Sequence, residues 1–242
     1  MNSTQMNQSL KDLYEQKIGS LIQMINSDPS LSDPLLLSVD EKYSLSQTKI
    51  MIVGQETHKW EWSQSDAERD PGYPINKPYS EYVSILMARY QRKHWRKFFN
   101  DSPFWKAADH IYEKLNNYPD RPDIGYIWNN IDKVDCDGGP LSALTRKKVW
   151  DCFFVLDEEL KITKPDVVIF FVGQRYDALL EEMNYKISPI SEKMKGDFEW
   201  FAKIEREGIL PEQSYILAHP NRLQRSKKGA YLDTVINLIT QV

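Results

Sequence analysis

Four short apolar runs, Lys49 to Val53 (KIMIV), Ile124 to Trp128 (IGYIW), Val167 to Val172 (VVIFFV) and Ser214 to Ala218 (SYILA), are separated by longer stretches of helical periodicity. Short buried strands alternating with helices define an α/β fold: a four-stranded, mostly parallel sheet carrying helices on its faces. The spacing predicts helices over about 80–99, 104–115, 145–160, 176–183 and 231–239. Ahead of them, Ser9 can cap a helix in which Leu10, Leu13, Tyr14, Ile18, Leu21, Ile22 and Ile25 recur on one face, ending near Asn26. The expected organisation is an N-terminal helical lead-in, 1–45, packed on an α/β domain, 46–242.

The residues at the exit of each strand point to chemistry. KIMIV runs into Gly54, Gln55, Glu56, Thr57 and His58; IGYIW into Asn129 and Asn130; VVIFFV into Gly173, Gln174 and Arg175; SYILA into His219, Pro220, Asn221, Arg222 and Leu223. The carboxyl ends of parallel strands share one edge, and ligands of open α/β sheets bind there. Pattern and topology therefore nominate Gln55, Glu56, His58, Asn129 and His219. An isolated Glu after a strand is ordinarily a solvated loop carboxylate. A carboxylate and a histidine arriving from opposite ends of the chain, with an Asn between them in sequence, can position a water and stabilise a leaving group.

Other classes are set aside by what the chain lacks. Its two cysteines, Cys136 and Cys152, form no CxxC, so no zinc ribbon, four-thiolate iron–sulfur cluster or disulfide scaffold can be built from them. The loop Asp132 to Gly139 fails the calcium-loop spacing, because Lys133 and Leu144 fall where acidic ligands are needed. Neither a GxGxxG fingerprint nor a P-loop lysine is present, so no metal and no cofactor is expected. The first residues hold no basic stretch leading into an apolar one, and the expectation is a cytoplasmic protein with no membrane partner.

With 31 Lys and Arg against 35 Asp and Glu, the net charge of −4 argues against coating nucleic acid by bulk charge. Two local segments argue otherwise. Arg89, Arg92, Lys93, Arg96 and Lys97 share one face of the helix expected after Ser80, with Trp95 among them, and Arg222, Arg225, Lys227 and Lys228 come directly after the His219 motif. Neither group contains an acid, which makes a polyanion at the same edge a reasonable partner. The stiff segment Pro71 to Pro78 is either a connector or a wall carrying Tyr73 or Tyr79 to the site.

These residues resemble the uracil-DNA glycosylase superfamily, whose first motif, GQDPYH, stands here as Gly54, Gln55, Glu56, Thr57, His58. Its last, HPSPL, stands as His219, Pro220, Asn221, Arg222, Leu223. Tyr126 to Asn129 matches the intermediate LLLN motif, and Val172, Gly173 the WG after the third strand. The resemblance spans about residues 48–242 and implies a three-layer αβα sandwich. It implies a monofunctional, monomeric DNA glycosylase that hydrolyses the N-glycosidic bond of a flipped-out base and leaves an abasic site. Glu56 would orient water and stabilise positive charge on the sugar. His219 would stabilise the departing base, Asn129 and Gln55 would contact it, and Leu223 would wedge into the vacated stack. Arg222 and Arg225 would hold phosphates, with Lys227, Arg175, Arg92 and Arg96 completing the DNA-contacting set. His58 stands where the uracil-specific enzymes carry the tyrosine that excludes a C5 substituent. That change favours an enlarged 5-modified cytosine, such as glucosylated hydroxymethylcytosine of phage DNA, and a role in antiviral defence. The alternatives are a uracil or mismatch repair glycosylase and a non-catalytic DNA-binding relative.

Overall fold

The computed structural model describes residues 1–57, 78–91, 102–117, 125–190, 201–221 and 230–240. In chain order its elements are α1 (Ser3–Ser27), α2 (Glu41–Leu45), β1 (Ile50–Gly54), α3 (Tyr79–Gln91), α4 (Pro103–Asn116), β2 (Ile127–Asn130), α5 (Ala143–Phe153), α6 (Leu156–Thr163), β3 (Val167–Phe170), a 3₁₀ turn (Gln174–Tyr176), α7 (Asp177–Glu182), β4 (Lys186–Pro189), β5 (Phe201–Glu205), β6 (Gln213–Leu217) and α8 (Ala230–Thr240). They fall into two compact units. One comprises Met1–Val39, Gln55–Lys93 and Asn130–Thr163; the other comprises Asp40–Gly54, His94–Asn129 and Lys164–Val242.

The first unit is helical. Its α1 begins at Ser3, not at a Ser9 cap, because Asn2 and Gln5 close a reciprocal capping box. The apolar stripe consequently starts one turn earlier, at Met6, and runs through Leu10, Tyr14, Ile18, Leu21 and Ile22. This stripe packs on α3, α5 and α6. The helix expected over 145–160 is broken: Phe154 adopts an extended conformation, and α6 restarts at Leu156. Phe153, Val155 and Leu156 are all buried, which one continuous helix could not achieve on a single face.

The second unit is built on a sheet of order β2-β1-β3-β6-β5-β4. β1 pairs parallel with β3 and β3 with β6, while β5 is antiparallel to both β6 and β4. The α/β class stands. Among the described residues, the expectation of four mostly parallel strands is corrected to a mixed sheet of six. The strands overlooked are β4, which buries none of its residues, and β5, whose FAKIE alternation is short. β1 and β3, buried throughout, are the continuous apolar runs expected of strands covered on both faces.

Candidate functional site

The parallel order of β1, β3 and β6 brings their carboxyl ends to one edge of the sheet. At the end of β3, Gly173 takes φ +71°, a conformation in which L side chains are strained. Its amide donates to Leu217 O at 3.0 Å. A Cβ there would stand 3.8 Å from Ala218 Cα and 3.9 Å from His219 N. The glycine thus ties the exit of β3 to the exit of β6, immediately before His219.

The His219 imidazole is oriented from two sides. Its Nδ1 accepts from the Asn221 backbone N–H at 3.3 Å, so the neutral ring carries its proton on Nε2. Its face lies on Phe104, with centroids 5.8 Å apart and planes 28° apart. Phe104 is fixed in turn by edge contacts with Phe171 and Trp105. Sequence reasoning missed this ring. The available signal was Ser102 and Pro103: the Ser side chain caps α4 and Pro occupies its first position, which sets Phe104 in the opening turn.

Asn129 lies within β2, not after it, and is fully buried, as is Asn130. Asn is depleted in strands, so the propensity signal ended the strand too early. The Asn129 Nδ2 donates to Met51 Sδ at 3.6 Å, which sets the direction of the amide plane against β1.

Gln55 to Thr57 continue directly from the last residue of β1, with Gln55 and Glu56 half-buried and Thr57 buried. Gln55 O accepts from the Asp132 N–H at 2.9 Å. Thr57 Oγ1 donates to Asp135 Oδ2 at 2.5 Å and lies 3.2 Å from Ser32 Oγ. Asp132 is anchored by Arg146 Nε and Trp150 Nε1, both on α5. The loop Asp132 to Gly139, set aside as a calcium site on its spacing, therefore braces the loop bearing Glu56.

No family model, curated protein or solved structure matches this chain.

The remaining predicted residues divide simply. Arg175 is exposed at the exit of β3, its guanidinium 5.1 Å from the Tyr176 ring centroid. Tyr79 opens α3 and is partly exposed; its ring edge lies 3.1 Å from where a Gly19 Cβ would stand, so it packs along α1. His58, Tyr73, Arg92, Arg96, Arg222, Leu223, Arg225 and Lys227 lie outside the described residues. Arg89, counted on the basic face, is not an uncompensated charge: its Nη1 pairs with Asp33 Oδ2 at 3.0 Å. Asp33 also accepts from the Tyr82 hydroxyl, and its pKa is raised by burial against the opposing pull of Arg89. Among the described residues no cluster of His, Cys, Asp or Glu could hold a metal, and no helix is long and apolar enough to cross a membrane.

Proposed function

We propose that this protein is a DNA glycosylase of the uracil-DNA glycosylase kind, a three-layer αβα sandwich acting on a 5-modified cytosine that has been flipped out of duplex DNA. The observation that carries the reading is the seating of His219. With Nδ1 accepting from the Asn221 amide and its face on the Phe104 ring, the imidazole in its neutral form presents Nε2–H as a preorganised donor for an oxygen that gains negative charge. In the proposed reaction the C1′–N bond breaks with its electron pair leaving on the base. The His219 Nε2–H donates a hydrogen bond to the base oxygen where that charge collects. Glu56 orients a water and stabilises the oxocarbenium character of the sugar, then takes the proton the water loses on attacking C1′. The motif order supports the reading, since GQETH leaves β1 and HPNRL leaves β6, strands that flank β3 in parallel.

The substrate class rests on His58, which replaces the tyrosine that excludes C5 substituents in the uracil-specific relatives. Extruding the base costs a few kcal/mol, which Leu223 and phosphate contacts are assigned to offset. The test incubates purified protein with uracil-containing duplex, unmodified duplex and duplex carrying glucosylated hydroxymethylcytosine, then assays for free base and alkali-labile sites. Release from the modified duplex alone is the expected result. Release from uracil duplex alone assigns repair, and tight binding without release from any duplex overturns the enzymatic reading.

A further inference from the structure

We infer that Thr57 and Asp135 are positioning residues that hold the Glu56 backbone for catalysis; the inference rests on the reading of Glu56 as the catalytic carboxylate. Glu has one more rotatable bond than the Asp of the related motif, so its carboxylate sweeps a wider volume from the same backbone position. Catalytic groups must be held to about 0.5 Å, so any play in the backbone adds to that of the longer side chain. The loop limits the backbone's share by anchoring both neighbours of Glu56 to one segment. On one side the Gln55 carbonyl accepts from Asp132 N–H. On the other, the single Thr57 hydroxyl proton goes to the Asp135 carboxylate, with Ser32 Oγ, which donates to the Asp33 carbonyl, 3.2 Å from the same hydroxyl.

Asp135 is suited to this work because it is itself immobilised. It is buried, its Oδ1 accepts from Gly138 N–H at 2.7 Å, and its own N–H donates to Ser32 Oγ at 2.9 Å. Residues 30–35 and 133–137 are laced by Ser32 N to Asp135 O, Leu35 N to Lys133 O and Asp137 N to Ser30 O. Thr57 thus bonds to a rigid pair of strand-like segments. A hydroxyl bonded to a buried carboxylate is the strong, charge-assisted kind.

The test compares Thr57→Val, Thr57→Ser and Asp135→Asn with wild type on duplex carrying glucosylated hydroxymethylcytosine, reading single-turnover base release at saturating enzyme, DNA Kd and urea midpoint. Val keeps the shape of Thr and deletes the donor, so Thr57→Val is expected to slow release about 10- to 100-fold, with Kd within about twofold of wild type. Ser restores the hydroxyl and is expected to recover release to within about threefold of wild type. Asp135→Asn keeps an acceptor without its charge and should fall between them. Equal rates in wild type and Thr57→Val, or a Thr57→Ser as slow as Thr57→Val, overturn the positioning role while leaving Glu56 catalytic. A wild-type protein that releases no base overturns the glycosylase reading, and the positioning role with it.

Discussion

An imidazole whose Nδ1 accepts a backbone N–H can, when neutral, donate only from Nε2, so in the proposed reaction His219 would stabilise an anion without first having to be protonated. Replacing it with Ala removes that donor and the ring against Phe104. Loss of one preorganised donor at a developing oxyanion costs about 10²- to 10³-fold in rate, and His219→Ala is expected to slow base release by that much. Glu56→Gln keeps the size of the side chain and deletes its charge and basicity, with an expected loss of about 10²- to 10⁴-fold. DNA binding should survive both, and the measurement is single-turnover release beside a binding titration. Asp177 offers a separate reading of pH. Its Oδ1 is buried with no hydrogen-bond partner among the described residues, and burial, then the Glu181 charge, pushes its pKa up to about 7. Between 3.8, the ordinary value, and about 7, the unfolded chain has released this proton and the folded protein has kept it. Stability therefore falls as pH rises through that window and is level above it. Asp177→Asn should flatten that slope, gaining on wild type at pH ~8 relative to pH ~4 in urea unfolding.

The helices of the first unit are joined by a buried ion pair that a sequence cannot announce. Lys133 Nζ contacts both oxygens of Glu159 at 2.7 Å, and the Tyr14 hydroxyl donates to the same carboxylate at 2.6 Å while accepting from Leu37 N–H. α1, α6 and the loop after β2 meet on these groups. Burial depresses the Lys133 pKa against the attraction of Glu159, and burial with the Glu159 charge raises that of Tyr14. Deleting one partner strands the other, so Lys133→Met alone should cost about 3–5 kcal/mol, and adding Glu159→Gln should recover most of it. A urea double-mutant cycle reads the coupling directly. Local signals did reach far: the stripe of α1, the runs that became β1, β3 and β6, and the polar residues at their exits were all legible. β4 was not, because an edge strand that buries none of its residues has no periodicity to read. Nor were the Phe154 break and the Thr57–Asp135 bond, which depend on tertiary packing and on partners distant in sequence.

The acidic total of the chain, −4, and the proposed DNA partner are reconciled only by where the cations stand and which of them are already paired. Duplex binding weakens with salt in proportion to the phosphates neutralised, with a log–log slope of about −0.9 per contact. A residue that touches phosphate flattens this slope when neutralised; one that is paired inside the protein does not. Arg89 is the second kind, bound to the buried Asp33 with little of its side chain exposed. Arg89→Gln is therefore expected to lower stability, by leaving the Asp33 charge uncompensated, and to leave the salt slope as it was. Arg92 and Arg96, farther along the sequence, are assigned to DNA, so changing both to Gln should reduce the slope by about 1.8 with little change in the urea midpoint. Titrating the same duplex at several salt concentrations separates the two cases. A flatter slope from Arg89→Gln would move that residue to the DNA face, whereas an unchanged slope from the double substitution would make Arg92 and Arg96 ordinary solvated charge and leave Arg222, Arg225 and Lys227 to supply the phosphate contacts.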